Sequence, residues 1–471
     1  MTPEVVRYTS DTEPLVQLIE RTPREKCFEM MMGQLKAGLP YRRFVAALFL
    51  AGVRNVRPHP LGFKFHCVLA IHSAHQLSLD VPVNQRLLPM FWMLDDFKNS
   101  QERDLSEGDF AMGPVKGPLP SPEKAWDEFH SAMEEWDEPR ADRAITAIIR
   151  SRGALEVIEG LWRYGARDYR NIGHKPIYVA GAWRVLQTIG WQHAEPILRS
   201  VAMGMTDFGP NQRVNDYAFE DQCFLANQER IKSAGRLPGN WTAGKESPAV
   251  TYELLDVMRS GDSNAACKIA IDLLLEGKTG ATSLWDAVHL MSAELMMRQP
   301  GIYGIHTVTS INALRYAYRE SSNPQTRLLM LVQSIGWMCQ FRNFMSKANA
   351  GLNEVKITSL TPTDVSSDAG EAIDDIFADV GANPQEAAAK TLAFAGQHDT
   401  SQFAAFARQL VLHKNREVHG LKYPVAIFED HHLVSPSWRP HLLATATYYL
   451  PGSSQPDSPV MQKARETVRG L

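Results

Sequence analysis

The chain has 471 residues, 44% of them hydrophobic and 22% charged, with 49 Lys and Arg against 53 Asp and Glu and a formal net charge of −4. Mixed charge without a basic block argues against a nucleic-acid or anionic-membrane partner. Five cysteines, odd in number and without a CxxC pair, argue against a disulfide frame or a thiolate zinc site and fit a reduced cytoplasm. The opening MTPEVVRYTSDTEPLVQLIE lacks the apolar run of a signal peptide, and the most apolar stretches, such as FVAALFLAGV, are about half a membrane span. The expectation is a soluble, cytoplasmic protein with no membrane partner.

In chain order, helical periodicity dominates. Residues 44–55 (FVAALFLAGVRN) read as a buried helix, followed by 61–79 (LGFKFHCVLAIHSAHQLSL) and 86–99 (RLLPMFWMLDDFKN) with apolar residues at helical spacing. Residues 153–169, 176–191, 248–261 and 283–299 continue the pattern. Ser121 before Pro122 fits an N-cap with proline at the first helical position, and Gly261 fits a C-terminal stop. No alternating strands separated by hairpin turns occur. The fold class expected is all-α, with residues 1–471 as a single helical body and loop insertions near 99–121, 234–248 and 357–370, where Gly, Pro and Ser gather.

The fifteen histidines carry the chemical information. His66 (FKFHCVLAI), His174 (NIGHKPIYVAG) and His306 (YGIHTVTSINAL) stand in apolar helical surroundings without an obvious nearby carboxylate. Charged imidazoles are costly there, so neutral rings are expected, and the neutral ring is the form that binds metal. GHKPI and GIHTV each place glycine within two residues before the histidine, near a helix start, from which an imidazole can project into a cavity. The plainer alternative is that His174 and His306 hydrogen-bond a neighbouring helix end. In EVHGLKYPVAIFED, His419 and Lys422 are three apart and share a helical face, with Cβ atoms roughly 5–6 Å apart. They also read as an ordinary surface pair. The apolar run after Lys422 favours burial, which lowers an ammonium pKa. A neutral amine reacts with carbon dioxide to give a carbamate, an anionic oxygen ligand.

These segments resemble the questin-oxidase-like family. GHKPIYVAGAWR is similar to the segment in which its Gly-His-Pro-Leu-Ile-type motif opens a helix, GIHTVTSINALR to its His-x-Val-Thr segment and HGLKY to its late His-x-x-Lys. FKFHCVLAIHSAH occupies the place of its early histidine segment. The resemblance implies an all-α non-haem iron oxygenase related to enzymes acting on anthraquinone polyketides. It points to His66, His174, His306, His419 and a carboxylated Lys422 as ligands of Fe(II), with molecular oxygen as co-substrate. Four neutral imidazoles and one carbamate leave one octahedral position open, as an oxygenase requires. The chain departs from the family at Tyr178, where a second histidine is usual, and His72, His75 and His193 compete for the early position. The expected partner is an oxygenated aromatic small molecule undergoing ring cleavage or oxygen insertion, with Phe63, Phe65, Trp183, Trp191, Tyr303 and Tyr316 as candidate pocket walls or simply core. With no GxGxxG and no P-loop, any reductant is external.

Two other classes compete. Asp95 and Asp96 in MLDDFKN are similar to the paired aspartates of magnesium-dependent terpenoid synthases, but Asn99 replaces the third acid. The downstream NDYAFEDQC has Asn215 and Asp216 in place, yet Phe219 and Cys223 where Ser or Thr and Glu are needed. A metal-free helical scaffold or ligand-binding protein is the other. Residues 429–432 (EDHH) diverge around a helix and read as a solvated face.

Overall fold

The computed structural model describes residues 4–207, 219–349 and 351–469. Among these the chain forms 23 α-helices and no strand, so the all-α class follows the 3.6-residue periodicity. The chain divides into two compact units. One comprises Met1–Gly165, Ile177–Val214 and Asp457–Leu471, the other Ala166–Pro176 and Asn215–Pro456. No helix among the described residues is long and apolar enough to cross a membrane.

In the first unit, helix α1 (Tyr41–Asn55) is buried from Phe44 through Arg54, as its all-round apolar sequence demands. Its one buried charge, Arg54, is held by Glu13 at 2.8 Å and Glu20 at 2.7 Å. The stretch 61–79 is not one helix. A 3₁₀ turn (Phe63–Phe65) leads into the short α2 (His66–Leu69), and a further helix starts at Ile71. Helix α3 (Leu88–Glu107) overruns the loop expected from residue 99, which begins at Gly108. Residues 99–107 contain neither Gly nor Pro. The buried Asp104 anchors this turn, taking Lys64 at 2.7 Å and the backbone N–H groups of Arg57 and Phe110. Ser121 caps no helix directly: a turn closed by Lys124 N–H on the Ser121 carbonyl precedes the helix that starts at Ala125. Gly261 does end the helix Pro248–Ser260.

Helix α4 (Arg170–Ile189) is broken near its start and regular from His174 onward. In the second unit, α5 (Ala281–Arg298) is buried on nearly all faces. Helix α6 (Ile302–Glu320) packs against α5, α7 (Pro324–Met345) and α8 (His419–Leu433). Asn323 starts α7 by accepting from the N–H groups of Gln325 and Thr326, with Pro324 at the first helical position. The loops expected near 234–248 and 357–370 fall between Ala234 and Pro248 and, apart from a 3₁₀ turn at Ile357–Ser359, before Ala369.

Candidate metal centre

Three elements of the second unit bring His174, His306 and His419 together, although 132 residues separate the first two. Each arrives from a helix start. Asn171 (φ 52), Ile172 (φ 51) and Gly173 (φ 82) form a left-handed turn that delivers His174 as the first residue of the regular part of α4. A Cβ on Gly173 would lie 2.7 Å from the Ser310 Cβ, so α6 approaches too closely for any other residue. Buried ion pairs secure the turn: Arg170 on Asp221 at 2.7 Å and Lys175 on Asp168 at 2.8 Å. His306 lies in the first turns of α6, after Gly301 caps it, and His419 opens α8 with Lys422 one turn on.

The outer nitrogen of each ring is committed. His174 Nδ1 donates to the Asn171 carbonyl, His306 Nδ1 to the Ile302 carbonyl at 2.7 Å, and His419 Nδ1 to Glu417 Oε2 at 2.6 Å. An oxygen acceptor at Nδ1 assigns the proton there and leaves Nε2 as a lone pair. Such an oxygen behind each imidazole is the pattern found behind metal-bound histidines. The Nε2 atoms of His174 and His306 are 2.9 Å apart, and ring nitrogens of all three residues lie within 4.8 Å of one another. Two lone pairs cannot hydrogen-bond each other. Nitrogens about 2.1 Å from a shared ion at right angles would be about 3 Å apart.

The electrostatics agree. Burial above all holds His174 and His306 well below the usual histidine range, with Lys422 and the neighbouring imidazoles pushing the same way. Burial also lowers His419, against the opposing pull of Glu417. Lys422 is 3% exposed, and its Nζ has no hydrogen-bond partner among the described residues. Burial pulls its pKa down to about 7, with Glu417 the one opposing influence. Burial would raise Glu417, but its bonds to His419 and Tyr449 bring it below the ordinary carboxylate value. Glu417 and Tyr449 do not stand out in the sequence; a carboxylate two residues before a helix-opening histidine is the signal that marks Glu417.

In the first unit, His66 is buried and follows the same rule, its Nδ1 on the Phe63 carbonyl at 2.8 Å. The competing histidines have other partners. His72 Nε2 accepts from Arg184 at 2.8 Å, a cation that would repel a metal ion, and His75 Nδ1 meets the Tyr41 hydroxyl at 3.0 Å. His193 ends a 3₁₀ turn. The candidate pocket aromatics pair largely with other rings: Phe65 with Tyr178, Trp183 with Trp191 and Tyr303 with Phe344. The EDHH stretch is not a solvated face. Asp430 and His431 are buried, the first 3.5 Å from His289 and the second bonded to the Arg439 carbonyl. Asp95, the first of the two aspartates in the terpenoid-synthase alternative, is gripped by Arg24 through both oxygens, and Arg24 also donates to Asn99. Asn215 and Asp216 lie outside the described residues.

No family model, no curated protein and no solved structure matches the chain in comparisons with known proteins.

Proposed function

We propose that this protein is a non-haem iron oxygenase acting on an oxygenated aromatic small molecule. The observation that carries the reading is the pair of imidazole lone pairs, on His174 and His306, held 2.9 Å apart in a buried setting with a third imidazole beside them. Imidazole nitrogens gathered this closely form a preorganised ligand set for a cation. His419 and a carboxylated Lys422 complete it within the second unit. His66 is proposed as the fourth imidazole on the sequence resemblance and because its Nδ1 is likewise committed to a carbonyl.

The donor set fits ferrous iron: neutral imidazoles suit a borderline ion, and a single carboxylate-like anion gives it a hard ligand. Iron with a free position supplies the activation of dioxygen. The chain's own residues do the rest. The three backing oxygens, on Asn171, Ile302 and Glu417, fix the rings and raise their basicity. Lys422, its amine pushed toward the neutral form by burial, adds to carbon dioxide, forming an N–C bond and releasing one proton.

The test is elemental analysis of protein prepared without oxygen. About one iron per chain is expected in the parent. His174→Ala and His306→Ala should lose metal and oxygen uptake while keeping their helical circular dichroism, because each removes one ligand from a large core. Normally folded parent protein that takes up neither iron nor cobalt would overturn the reading. Oxygen uptake with hydroxylated anthraquinones and simpler phenols tests the substrate class, and turnover confined to aliphatic compounds would exclude it.

A further inference from the structure

An open cleft of about 420 Å³ lies in the second unit, with Glu417, the partner of the His419 ring, in its wall. That volume suits a small organic ligand. Its walls are mainly proline, aliphatic and tyrosine surface, which favours a flat molecule. Its polar groups are lopsided. Lys414 and Arg416 bring two cations, held by the carbonyls of Gln455 and Pro456. The Asn415 Nδ2 and Tyr448 hydroxyl are buried donors with no partner among the described residues. The one carboxylate, Glu417, has both oxygens engaged: Oε2 by the N–H and Nδ1–H of His419, Oε1 by the Tyr449 hydroxyl at 2.5 Å. The charged lining is thus two cations against one carboxylate whose oxygens are already engaged, which favours an anion.

We propose that this cleft binds a flat aromatic anion, a phenolate or aromatic carboxylate, whose oxygen is taken by Asn415 and Tyr448. The site is distinct from the ligand set of the metal. The Tyr449 hydroxyl connects the two, because it forms both cleft wall and one end of the chain Tyr449–Glu417–His419. A ligand that draws on the Tyr449 hydroxyl changes how strongly Glu417 polarises the His419 ring, and so alters the metal's surroundings. This second statement rests on the metal reading; the binding itself does not.

The experiment uses the full chain without metal and calorimetric titration with hydroxynaphthoate, with cyclohexanecarboxylate and naphthalenemethanol as controls for flatness and charge. Hydroxynaphthoate should saturate one site, at least about tenfold tighter than either control. Tyr448→Phe and Asn415→Asp should each weaken it by about fivefold or more. Equal binding of all three compounds, or binding untouched by both variants, would overturn the proposal. Cobalt-loaded protein then reports the connection. Its visible spectrum should shift when hydroxynaphthoate is added to the parent, and not in Tyr449→Phe. An unshifted parent spectrum, or cobalt that does not bind, refutes the connection, while the calorimetry still decides the cleft.

Discussion

At the scale of single residues, Lys422 is the informative group. Burial without a hydrogen-bond partner takes its amine from the ordinary value of 10.5 down to about 7. Such a shift corresponds to about 5 kcal/mol of penalty on the charged form. The sign follows from proton counting. Below pH 7 folded and unfolded chains both carry the ammonium and the penalty is full. Between about 7 and 10.5 only the unfolded chain keeps the proton, so stability rises with pH, and above that it levels off. In metal-free protein, Lys422→Met should therefore be more stable than the parent at pH 6, and urea unfolding should show the gap closing as pH approaches 10. A constant gap would place the lysine in solvent. In metal-loaded protein, Lys422→Ala should lose the ion and Lys422→Glu should regain part of the binding, because its carboxylate replaces the missing anion. Growth of the parent in labelled bicarbonate should give a carbamate carbon resonance absent from Lys422→Ala.

At the scale of elements, the ligand set depends on how helices begin. The left-handed turn at residues 171–173 costs energy, most of all at the β-branched Ile172. The buried pairs Arg170–Asp221 and Lys175–Asp168 hold it in place. Gly173→Ala should lower stability by roughly 1–3 kcal/mol, from the positive φ and the clash with Ser310, measured as a shift in urea midpoint. It should also weaken metal binding, since α4 and α6 can no longer approach. A variant with parental stability and metal content would show that the turn relaxes freely. Glu417→Gln tests the carboxylate behind His419: loss of the charge-assisted bond should weaken metal binding about 10–100-fold, read by competition with a chelator.

At the scale of the molecule, the ion would tie together segments far apart in sequence, with His174, His306 and His419 all in the second unit. Bound metal stabilises the folded state by mass action, about 2.7 kcal/mol at a hundredfold excess over the dissociation constant. Chelation should lower the melting temperature of the parent and leave that of His306→Ala unchanged. An equal response in both would mean that the chelator strips a different ion.

The all-α class was determined by local pattern alone. Burial of α1 on every face, the stop at Gly261 and the gap between Ala234 and Pro248 are all written in residues a few positions apart. The apolar settings of His174 and His306 and the three-residue spacing of His419 and Lys422 are equally local, so these residues stand out before any fold is known. Tertiary structure decided what local pattern cannot encode. The close approach of Ser310, from a distant helix, to Gly173 is one such feature. The turn that ends helix α3 is anchored by the buried Asp104, which gathers bonds from Arg57, Lys64 and Phe110. The fate of EDHH was misread for the same reason, since Asp430 is buried against His289 and Asn312 from two other helices. Proton placement on the three imidazoles, and with it the lone pairs that face one another, depends on carbonyl and carboxylate oxygens whose positions are set only once the helix starts are packed.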